Sequence, residues 1–519
     1  MMDFFTEVIE ELKSGKIKTK QELQKEKARL AEKYNLDYIP SDADILEFLP
    51  DEDKELFLRL LQKKPSRTLS GVAIVSVMTS PAPCPHGKCI YCPGGVDIST
   101  PQSYTGREPA AMRGIQYEFD PYEQVVNRIR QLEAIGHATD KIELIIMGGT
   151  FPARDEQYQK EFVKGCFDAM NGFKSRTLEE ALKRNESAEH RCVGLTVETR
   201  PDYCFEKEIK LMLSYGTTRV ELGVQNPDDK IYEIIKRGHS VKDVVKATQL
   251  AKDSFLKVNY HLMPGLPGSD FEKDLRMFRR VFEDERFKPD MLKIYPCLLV
   301  KKEYGEVGLH ELYEKGLWKP YDDETAARLI AEARRYFPKW VRVMRIQRDI
   351  PSHLIEAGVK SSNLRQLVDE KSEELGIKCR CIRCREIRDR TPKRVELMVE
   401  EYKASGGKEF FISLEDPVQD LLIGFLRLRF PYRPFIEQIT SDTAGVRELH
   451  VYGPVVRIGR RSLVGQQHKG YGSMLLEKAE EIAKENGMRK LLVISGVGVR
   501  NYYRKKGFML EGPYMSKLL

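Results

Sequence analysis

The sequence predicts an α/β protein in which a partial (β/α)6, TIM-like barrel precedes a second, smaller α/β unit and follows a helical segment. Three observations support this fold class. The chain has 519 residues, which is too long for one typical hydrophobic core and predicts two or three domains. Between about residues 66 and 350, six short apolar segments alternate with helical stretches, as in βα units. From about residue 396 a separate run of strands begins.

Residues 1–65 are predicted to form a helical, basic segment. Apolar residues such as Ile9 and Leu12 recur at helical spacing, and Pro40 and Pro50 interrupt the helices. The basic residues of this segment are Lys13, Lys16, Lys18, Lys20, Lys25, Lys27, Arg29 and Lys33. A single run of like charge is more often a solvated face than a binding site. Two further basic runs, near residues 334–348 and 378–394, raise the expectation of a polyanionic partner, most simply a nucleic acid.

Residues 66–350 form the predicted barrel domain. Its six strands are Gly71–Met78, Ile142–Met147, Val193–Glu198, Arg219–Gln225, Val258–Met263 and Met291–Tyr295. Loops at the carboxyl ends of such strands usually carry the active site. A cysteine-rich loop, a Gly-Gly-Thr loop, the segment Glu198-Thr199-Arg200 and Gln225 all fall at these ends, so we expect them to line the mouth of the barrel.

Residues 351–395 are predicted to be a basic linker that holds three cysteines, and residues 396–519 a second α/β domain. The predicted elements of that domain are the strands Phe410–Leu414, Leu421–Leu428, Val446–Val456 and Leu491–Ser495 and the helix Gly470–Glu485. The strands and the helix together indicate a small sheet covered by helices.

Composition describes a protein of the reducing cytoplasm that does not enter a membrane. Hydrophobic residues make up 41% and charged residues 32% of the chain, and we see no apolar run long enough to cross a bilayer. The first residues are acidic early and lack the basic-then-apolar form of a signal peptide. The ten cysteines are clustered, which favours metal ligation over a disulfide framework. The net charge is +7.

The most informative motif is the loop Cys84-Pro-His-Gly-Lys-Cys89-Ile-Tyr-Cys92. Three thiolates can hold three irons of a [4Fe–4S] cluster, whereas an electron carrier normally ligates all four irons with protein groups. The open iron predicts chemistry on a bound ligand, and the best-known case is reductive cleavage of S-adenosylmethionine (SAM). The alternative is a structural zinc loop with His86 as its fourth ligand.

A second motif, Gly148-Gly149-Thr150, follows the predicted second strand. Two glycines allow the backbone to approach a ligand closely, and a free carbonyl can accept a hydrogen bond from the amino group of SAM. Gly-Gly after a strand is more often only a tight turn. Its place one βα unit after the cysteine loop favours SAM binding by these three residues.

The C-terminal domain holds an acetyl-CoA signature. Gln467, Gly470, Tyr471 and Gly472 lie in a strand-to-helix loop whose backbone N–H groups can face the coenzyme A pyrophosphate. The strand Glu448-Leu449-His450-Val451 lies upstream and can pair its backbone with the pantetheine amides. Downstream, Tyr503 in Asn-Tyr-Tyr-Arg can protonate the leaving thiolate. An ordinary glycine turn is the alternative for the loop alone; the three elements together resemble GNAT-type acetyltransferases.

The linker cysteines Cys379, Cys381 and Cys384 are close enough in sequence to favour Zn²⁺. Cys297, His353 or water could supply the fourth ligand. Three reduced, exposed cysteines among arginines are the alternative.

These motifs together resemble one family, the catalytic subunit of elongator (the third elongator protein) in its archaeal form. The resemblance covers nearly all of residues 66–519. Beyond the motifs above, it is carried by Gln102-Ser-Tyr-Thr-Gly106, Arg348-Asp-Ile-Pro351, Glu448-Leu-His-Val-Tyr-Gly453 and Ser495-Gly-Val-Gly-Val-Arg-Asn-Tyr-Tyr-Arg504.

The resemblance implies a radical-SAM barrel joined to a GNAT-type domain, and an enzyme that forms 5-carboxymethyluridine at the wobble position of tRNA from acetyl-CoA. It implies that Cys84, Cys89 and Cys92 bind the cluster. It further implies that Lys141 and Tyr503 are catalytic. The acetyl-CoA site would comprise Lys141, Glu448, Leu449, His450, Val451, Gln467, Gly470, Tyr471, Gly472, Ser473 and Tyr503. The resemblance also implies that the partner is the anticodon stem-loop of tRNA and that residues 1–65 bind tRNA. We expect the protein to be active without other elongator subunits.

Two other functions fit parts of the sequence. A protein lysine acetyltransferase with a regulatory cluster domain would need a general base near the thioester, for which Glu437 and Glu448 are candidates. A non-catalytic tRNA-binding module would be unable to cleave SAM to 5′-deoxyadenosine.

Overall fold

Four helices at the N-terminus pack as a bundle with a core of their own. In the computed structural model they are α1 (Met2–Lys13), α2 (Lys20–Lys33), α3 (Asp42–Phe48) and α4 (Asp51–Leu61). Helices α2 and α3 begin at capping boxes, in which Thr19 and Ser41 bond the backbone three residues onward. Phe4, Val8 and Leu23 are fully buried in the bundle core, so hydrophobic packing holds these short helices together.

The charges of the bundle are largely paired with one another. Lys16 lies 2.9 Å from Glu26, Lys27 lies 2.7 Å from Asp42, and Arg29 also contacts Glu26. Residues 1–65 carry 12 Lys and Arg against 15 Asp and Glu. The segment is helical as predicted, but its charge is close to balanced because acidic partners neutralise most of the basic residues that suggested a phosphate-binding face.

The central domain is a seven-stranded parallel sheet. The strands of this part of the chain are β1 (Ala73–Met78), β2 (Lys141–Met147), β3 (Arg191–Thr199), β4 (Arg219–Gln225), β5 (Lys257–Leu262), β6 (Met291–Ile294), β7 (Leu299–Val300), β8 (Arg342–Ile346) and β9 (Ile355–Ala357). The sheet order is β1-β2-β3-β4-β5-β6-β8, and β7 pairs separately with β9. The six predicted strands are confirmed. The seventh, β8, pairs in parallel with β6, although the sequence indicates its arginines only as part of a basic run.

Helices cover the outside of this sheet. They are α5 (Pro109–Gln116), α6 (Pro121–Ala134), α7 (Glu156–Asn171), α8 (Leu178–Asn185), α9 (Glu206–Ser214), α10 (Asp229–Ile234), α11 (Val241–Asp253), α12 (Phe271–Glu283), α13 (Gly308–Glu314), α14 (Asp323–Ala333), α15 (Leu364–Glu374) and α16 (Ile382–Arg385). Alternate strand residues such as Leu144, Val220 and Tyr260 are fully buried among apolar side chains on the helix side. The residues between them face the interior of the barrel.

The interior of the barrel is polar. On β2, Glu143 accepts from Thr196 of β3 at 3.4 Å and pairs with Arg219 of β4. On β4, Glu221 lies 2.7 Å from His261 of β5. Each strand therefore alternates apolar residues toward the helices with polar residues toward the interior, as expected for a barrel that binds polar ligands rather than one filled by aliphatic layers.

The C-terminal domain is a second seven-stranded sheet. Its elements are β10 (Glu396–Ala404), β11 (Gly407–Asp416), β12 (Leu421–Phe430), β13 (Thr443–Val451), α17 (Tyr471–Glu485), β14 (Lys490–Val493), α18 (Arg500–Arg504), β15 (Met509–Glu511) and β16 (Tyr514–Leu518). The order is β10-β11-β12-β13-β14-β16-β15, with β13 and β14 parallel and the other pairs antiparallel. The predicted strands and helix are confirmed, with β10, β15 and β16 in addition.

The two sheets meet through buried ions at the amino end of the barrel. Arg429 of β12 lies 2.6 Å from Asp253 at the end of α11, and Arg447 of β13 pairs with Asp290 just before β6. Lys252 lies 3.3 Å from Asp290, and all these side chains are fully buried. Removal of one partner would leave a buried charge without a counterion, so this junction is costly to open.

The structure describes residues 1–62, 71–388, 390–452 and 470–519. Gln467 and the end of the predicted strand Val446–Val456 lie outside these ranges. Within them, every helix is either too short or too polar to traverse a lipid bilayer.

Candidate active site at the two ends of the barrel

The cysteine loop lies at the carboxyl end of the barrel, directly after β1. Cys89 and Cys92 are buried and Cys84 is partly exposed. The backbone N–H of Ser103 donates to Cys92 Sγ at 3.1 Å, and Cys84 Sγ lies 3.5 Å from the Thr150 hydroxyl. The loop therefore touches both the Gln102–Gly106 segment and the Gly-Gly-Thr turn, as the predicted arrangement requires.

The Gly-Gly-Thr turn allows another group to approach its backbone closely. Gly148 and Gly149 both adopt positive φ, at 123° and 87°. A Cβ added to Gly148 would lie 2.3 Å from the Thr79 hydroxyl, so no larger residue fits there. The turn places backbone groups beside the cysteine loop with no side chain between them, which suits a ligand that contacts both.

The spacing of the loop sulfurs fits a cluster better than a single ion. Four sulfurs at about 2.3 Å from one zinc lie about 3.8 Å from each other. Among the described residues, Cys84, Cys89 and Cys92 do not form a group whose sulfurs all lie within 4.8 Å. A [4Fe–4S] cluster, in which each sulfur binds a different iron, holds its ligands further apart. The zinc alternative is therefore disfavoured for this loop.

Behind the loop, a chain of charged groups fills the mouth of the barrel. Tyr104 donates to Glu198 at 2.8 Å, and Lys293 of β6 lies 3.5 Å from Glu198 and pairs more tightly with Glu221. These two carboxylates raise the pKa of Lys293 despite burial, so the ammonium stays charged. Sequence reasoning noted Glu198, and it named Tyr104 only within the segment Gln102–Gly106, but it missed Lys293. For Lys293, the signal was its place as a charged residue within the apolar strand β6.

Lys141 lies at the opposite, amino end of the barrel, and it is partly buried. It begins β2 and pairs in register with Arg191 of β3, and a Cβ on Gly498 would lie 2.5 Å from the Arg191 side chain. Burial lowers the pKa of Lys141. The strand neighbour of Lys141 thus contacts the loop that leads into Tyr503.

Tyr503 lies within the C-terminal domain at this junction. Its ring packs against Phe508 and Tyr502, with centroids 5.8 and 5.1 Å away, and burial raises its pKa. Helix α18, which contains Tyr503, is held by Glu186 of the barrel domain, whose carboxylate accepts from Arg504 at 2.7 Å. Tyr503 therefore stays protonated at neutral pH and keeps a proton to donate.

Strand β13 extends beyond its pairing with β14. The parallel pairing of the two strands ends at Val446–Val493, while β13 continues to Val451 and, among the described strands, pairs with β12 on its other side. The stretch beyond the pairing contains the predicted residues Glu448, Leu449, His450 and Val451. The two strands therefore diverge at the residues for which the sequence predicts an acetyl-CoA site.

The helix that follows the predicted pyrophosphate loop begins as expected. Gly470 adopts a left-handed conformation with φ of 85° directly before α17, and Tyr471, Gly472 and Ser473 form its first turn. The free N–H groups of such a turn favour an anion. Lys506 donates to the Ser473 hydroxyl at 2.6 Å, which places a cation beside the same turn.

Glu448 is unsuited to act as a general base. Arg427 donates to its carboxylate at 2.8 Å and, with Lys257, lowers its pKa although the residue is buried. The general base that a lysine acetyltransferase would require is therefore not supplied by Glu448.

The linker cysteines form a compact set at the amino end of the barrel. The sulfurs of Cys379, Cys381 and Cys384 all lie within 4.8 Å of one another, and those of Cys381 and Cys384 are 3.6 Å apart, close to the edge of a zinc tetrahedron. Neither Cys297 nor His353 joins this set within the described ranges. Cys297 instead lines a small cavity beside Tyr91, so it is excluded as the fourth ligand.

Comparisons with known proteins identify the domain families of this chain. Four family models match: the ELP3 N-terminal domain over residues 1–69, the Radical SAM superfamily over 80–278, the Radical_SAM C-terminal domain over 289–374 and the Acetyltransferase (GNAT) family over 381–508. The chain is 54% identical to the tRNA uridine(34) acetyltransferase of Methanocaldococcus jannaschii over 99% of its own length and 96% of that protein. The chain belongs to the Elongator complex protein 3 family.

Other members of the Elongator complex protein 3 family support the assignment. The human Elongator complex protein 3 is 44% identical, with 96% of this chain and 93% of that protein covered. The solved structure of the Methanocaldococcus infernus Elp3 lacking residues 1–46 is 50% identical and superposes with a TM-score of 0.76 over 87% of this chain and all of that chain. The predicted family is confirmed. The Radical SAM superfamily implies a [4Fe–4S] cluster and SAM. The Acetyltransferase (GNAT) family implies acetyl-CoA.

Proposed function

We propose that this protein forms 5-carboxymethyluridine at the wobble uridine of tRNA, with acetyl-CoA as the source of the two carbons. The observation that carries the proposal is the joining of two sites to one barrel. The cysteine loop lies at the carboxyl end, and the splayed strand β13 of the acetyltransferase domain meets the amino end. The names of the relatives, tRNA uridine(34) acetyltransferase and Elongator complex protein 3, point to the same reaction.

At the carboxyl end, Cys84, Cys89 and Cys92 would hold the cluster, and Gly148, Gly149 and Thr150 would bind SAM. When bound, the cluster supplies an electron that cleaves SAM and yields the radical that takes hydrogen from the acetyl group. The buried ion pairs of Lys293 keep the adjoining mouth polar and fixed in position. An RNA base can reach this mouth once it is unstacked, as anticodon bases are.

At the amino end, the backbone of residues 448–451 would pair with pantetheine, and the first turn of α17 would face the pyrophosphate. Lys141 would bind acetyl-CoA from the barrel side, since its strand neighbour Arg191 contacts the loop before Tyr503. Tyr503 would donate a proton to the coenzyme A thiolate as the thioester is hydrolysed. The helical segment 1–65 and the basic linker would bind tRNA phosphates.

We further propose that Cys379, Cys381 and Cys384 bind Zn²⁺, with water or a substrate group in the fourth position. The sulfur spacing supports this assignment. We also infer that the protein acts in the cytoplasm and needs no other elongator subunit. The free state of all ten cysteines supports a reducing compartment.

The test is anaerobic incubation of the purified chain alone with tRNA, SAM, acetyl-CoA and dithionite, followed by mass analysis of tRNA nucleosides. We expect 5-carboxymethyluridine, and its loss when SAM or acetyl-CoA is omitted. Product formation without SAM would contradict the radical route. Transfer of labelled acetyl to protein with no tRNA product would favour a lysine acetyltransferase.

A further inference from the structure

We propose that His86 and Arg237 are positioning residues that donate hydrogen bonds to the sulfur of Cys89 and thereby raise the reduction potential of the cluster. The inference rests on the cluster site proposed above. His86 Nε2 lies 3.1 Å and Arg237 Nη1 lies 3.5 Å from Cys89 Sγ. Cys84 Sγ, by contrast, meets a threonine hydroxyl. Cys92 Sγ meets the Ser103 N–H, the Ser103 hydroxyl and the side-chain oxygen of Gln102, but no cationic or imidazole donor among the described residues.

The proton of the His86 ring is placed by a neighbouring arginine. Arg200 Nη1 lies 2.6 Å from His86 Nδ1, and a guanidinium can only donate. His86 Nδ1 must therefore accept, which leaves the ring hydrogen on Nε2, the nitrogen that faces Cys89. The imidazole is thus a neutral donor to the sulfur.

Arg200 is itself held in place by two further contacts. Its Nε and Nη2 donate to the two carboxylate oxygens of Asp202 at 2.9 and 2.8 Å, and its Nη1 also donates to the Arg237 carbonyl at 2.9 Å. Arg200 directly follows β3 and is almost completely buried. A continuous series of hydrogen bonds therefore runs from Asp202 through Arg200 and His86 to Cys89.

The second donor, Arg237, is anchored to the barrel. Its Nη2 donates to the Gly223 carbonyl on β4 at 2.6 Å, which aims Nη1 at Cys89. The adjacent Gly238 has φ of 76°, and a Cβ there would lie 2.7 Å from the His86 Cβ. Because Gly238 has no side chain, His86 can pack against its backbone. The His86 and Arg237 side chains can then both reach the sulfur of Cys89.

Two hydrogen-bond donors to one ligand sulfur should raise the reduction potential of the cluster. Reduction adds negative charge, part of which resides on the ligand sulfurs, and hydrogen bonds and nearby cations stabilise it. Arg237 contributes a full charge, whereas His86 contributes a neutral dipole. Loss of Arg237 should therefore lower the reduction potential further than loss of His86.

The experiment compares full-length variants after anaerobic reconstitution with iron and sulfide. Reduction potentials are measured by a dithionite titration followed by electron paramagnetic resonance, with no tRNA or acetyl-CoA present. We expect His86→Leu and Arg237→Met to bind as much iron as the unmodified chain but to be reduced at a lower potential. His86→Gln keeps a hydrogen-bond donor, so its reduction potential should be close to that of the unmodified chain. His190→Leu, a hydrogen-bonded histidine at the opposite end of the barrel, should leave the potential unchanged.

A third variant tests the series itself. Arg200→Met should lower the potential in the same direction as His86→Leu, and the double variant should show no further shift. Equal potentials in all iron-loaded variants would overturn the proposal, as would additive shifts. Failure of both His86→Leu and His86→Gln to hold iron would also overturn it, because His86 would then be required to bind the cluster. Absence of iron in the unmodified chain would instead contradict the proposed function.

Discussion

The two ends of the barrel each carry three cysteines, yet the surroundings of the two sets differ. At the carboxyl end, the sulfurs are spread over a loop, and His86 and Arg237 approach one of them. At the amino end, Cys381 and Cys384 lie 3.6 Å apart in a linker that packs against β8 and β12. The sulfurs of the first set are widely spaced and receive hydrogen bonds, which suits a redox-active cluster. The sulfurs of the second set are as close together as the ligands of a single structural metal ion. The number of thiols alone does not indicate the metal.

The largest effect is expected from Cys89→Ser at the carboxyl end. It removes one cluster ligand and should abolish iron binding and SAM cleavage, because a serine hydroxyl is a poor iron ligand. Iron and zinc content and 5′-deoxyadenosine formation are measured together, and zinc content should not change. Cys166→Ala, at a buried thiol on α7, is the matched control and should retain iron. Loss of zinc along with iron would show that the two ends are not independent.

The next largest effect concerns the junction at the amino end. Arg447→Met leaves Asp290 without its closest counterion and Glu409 without one of its two arginines, and it should reduce the free energy of unfolding by about 3 to 5 kcal/mol. Denaturant unfolding measures this change. Lys160→Ala breaks an exposed pair with Glu156 and should leave the free energy of unfolding nearly unchanged, because water screens exposed ion pairs. Equal effects of the two substitutions would mean that the buried ions do not hold the domains together.

Removal of zinc should affect stability but not the first chemical step. A metal present at roughly 100 times its dissociation constant stabilises the folded state by about 2.7 kcal/mol. A chelator should therefore lower the melting temperature while SAM cleavage continues. Cys381→Ser should behave like the chelated protein and show no further response to chelator. Loss of SAM cleavage on chelation would contradict the division between the two ends.

A smaller effect is expected from Tyr503→Phe. Loss of one hydrogen bond to the leaving thiolate, about 1.5 kcal/mol, should slow acetyl-CoA hydrolysis roughly tenfold. SAM cleavage at the far end should keep its rate, and both are measured on the same preparation. Equal loss of both activities would contradict separate sites.

The smallest effect concerns the N-terminal bundle. Lys18 and Lys25 form no ion pair with the described residues, whereas Lys16 and Arg29 do. The double variant Lys18→Ala, Lys25→Ala should weaken tRNA binding. The slope of the logarithm of the binding constant against the logarithm of the salt concentration should become less steep, by up to about 0.9 for each phosphate that is no longer neutralised. Lys16→Ala with Arg29→Ala should leave the slope unchanged. The opposite result would place the paired residues in the tRNA interface.

The fold was largely predictable because local patterns determine it. Six strands of the barrel and the helix after Gly470 follow from apolar runs and glycine placement. Strand β8 was missed because its sequence, Arg-Val-Met-Arg-Ile, contains two arginines that interrupt the apolar pattern. Arg342 pairs with Glu386 and Arg345 pairs with Asp349. The charge of residues 1–65 was overestimated, since only the folded bundle shows which lysines meet carboxylates.

The site was predictable where its residues are adjacent in sequence and not where they converge from distant segments. The cysteine loops and the Gly-Gly-Thr turn are local motifs. The approach of Arg200 and Arg237 to His86 joins three segments more than 30 residues apart, and nothing in the spacing signals it. The same holds for the pairing of Lys293 with Glu221 and Glu198.

The buried ions between Asp253, Asp290, Arg429 and Arg447 have a consequence for catalysis. They tie the two catalytic halves into one unit, so a swinging motion that closes one half upon the other would have to break several charge pairs in a dry interior. Strand β2 spans the barrel with seven residues, or about 20 Å from end to end. For the two sites proposed here, closure of one domain upon the other is therefore disfavoured, and the long, flexible arm of coenzyme A is the part that would carry the two-carbon group from one end to the other.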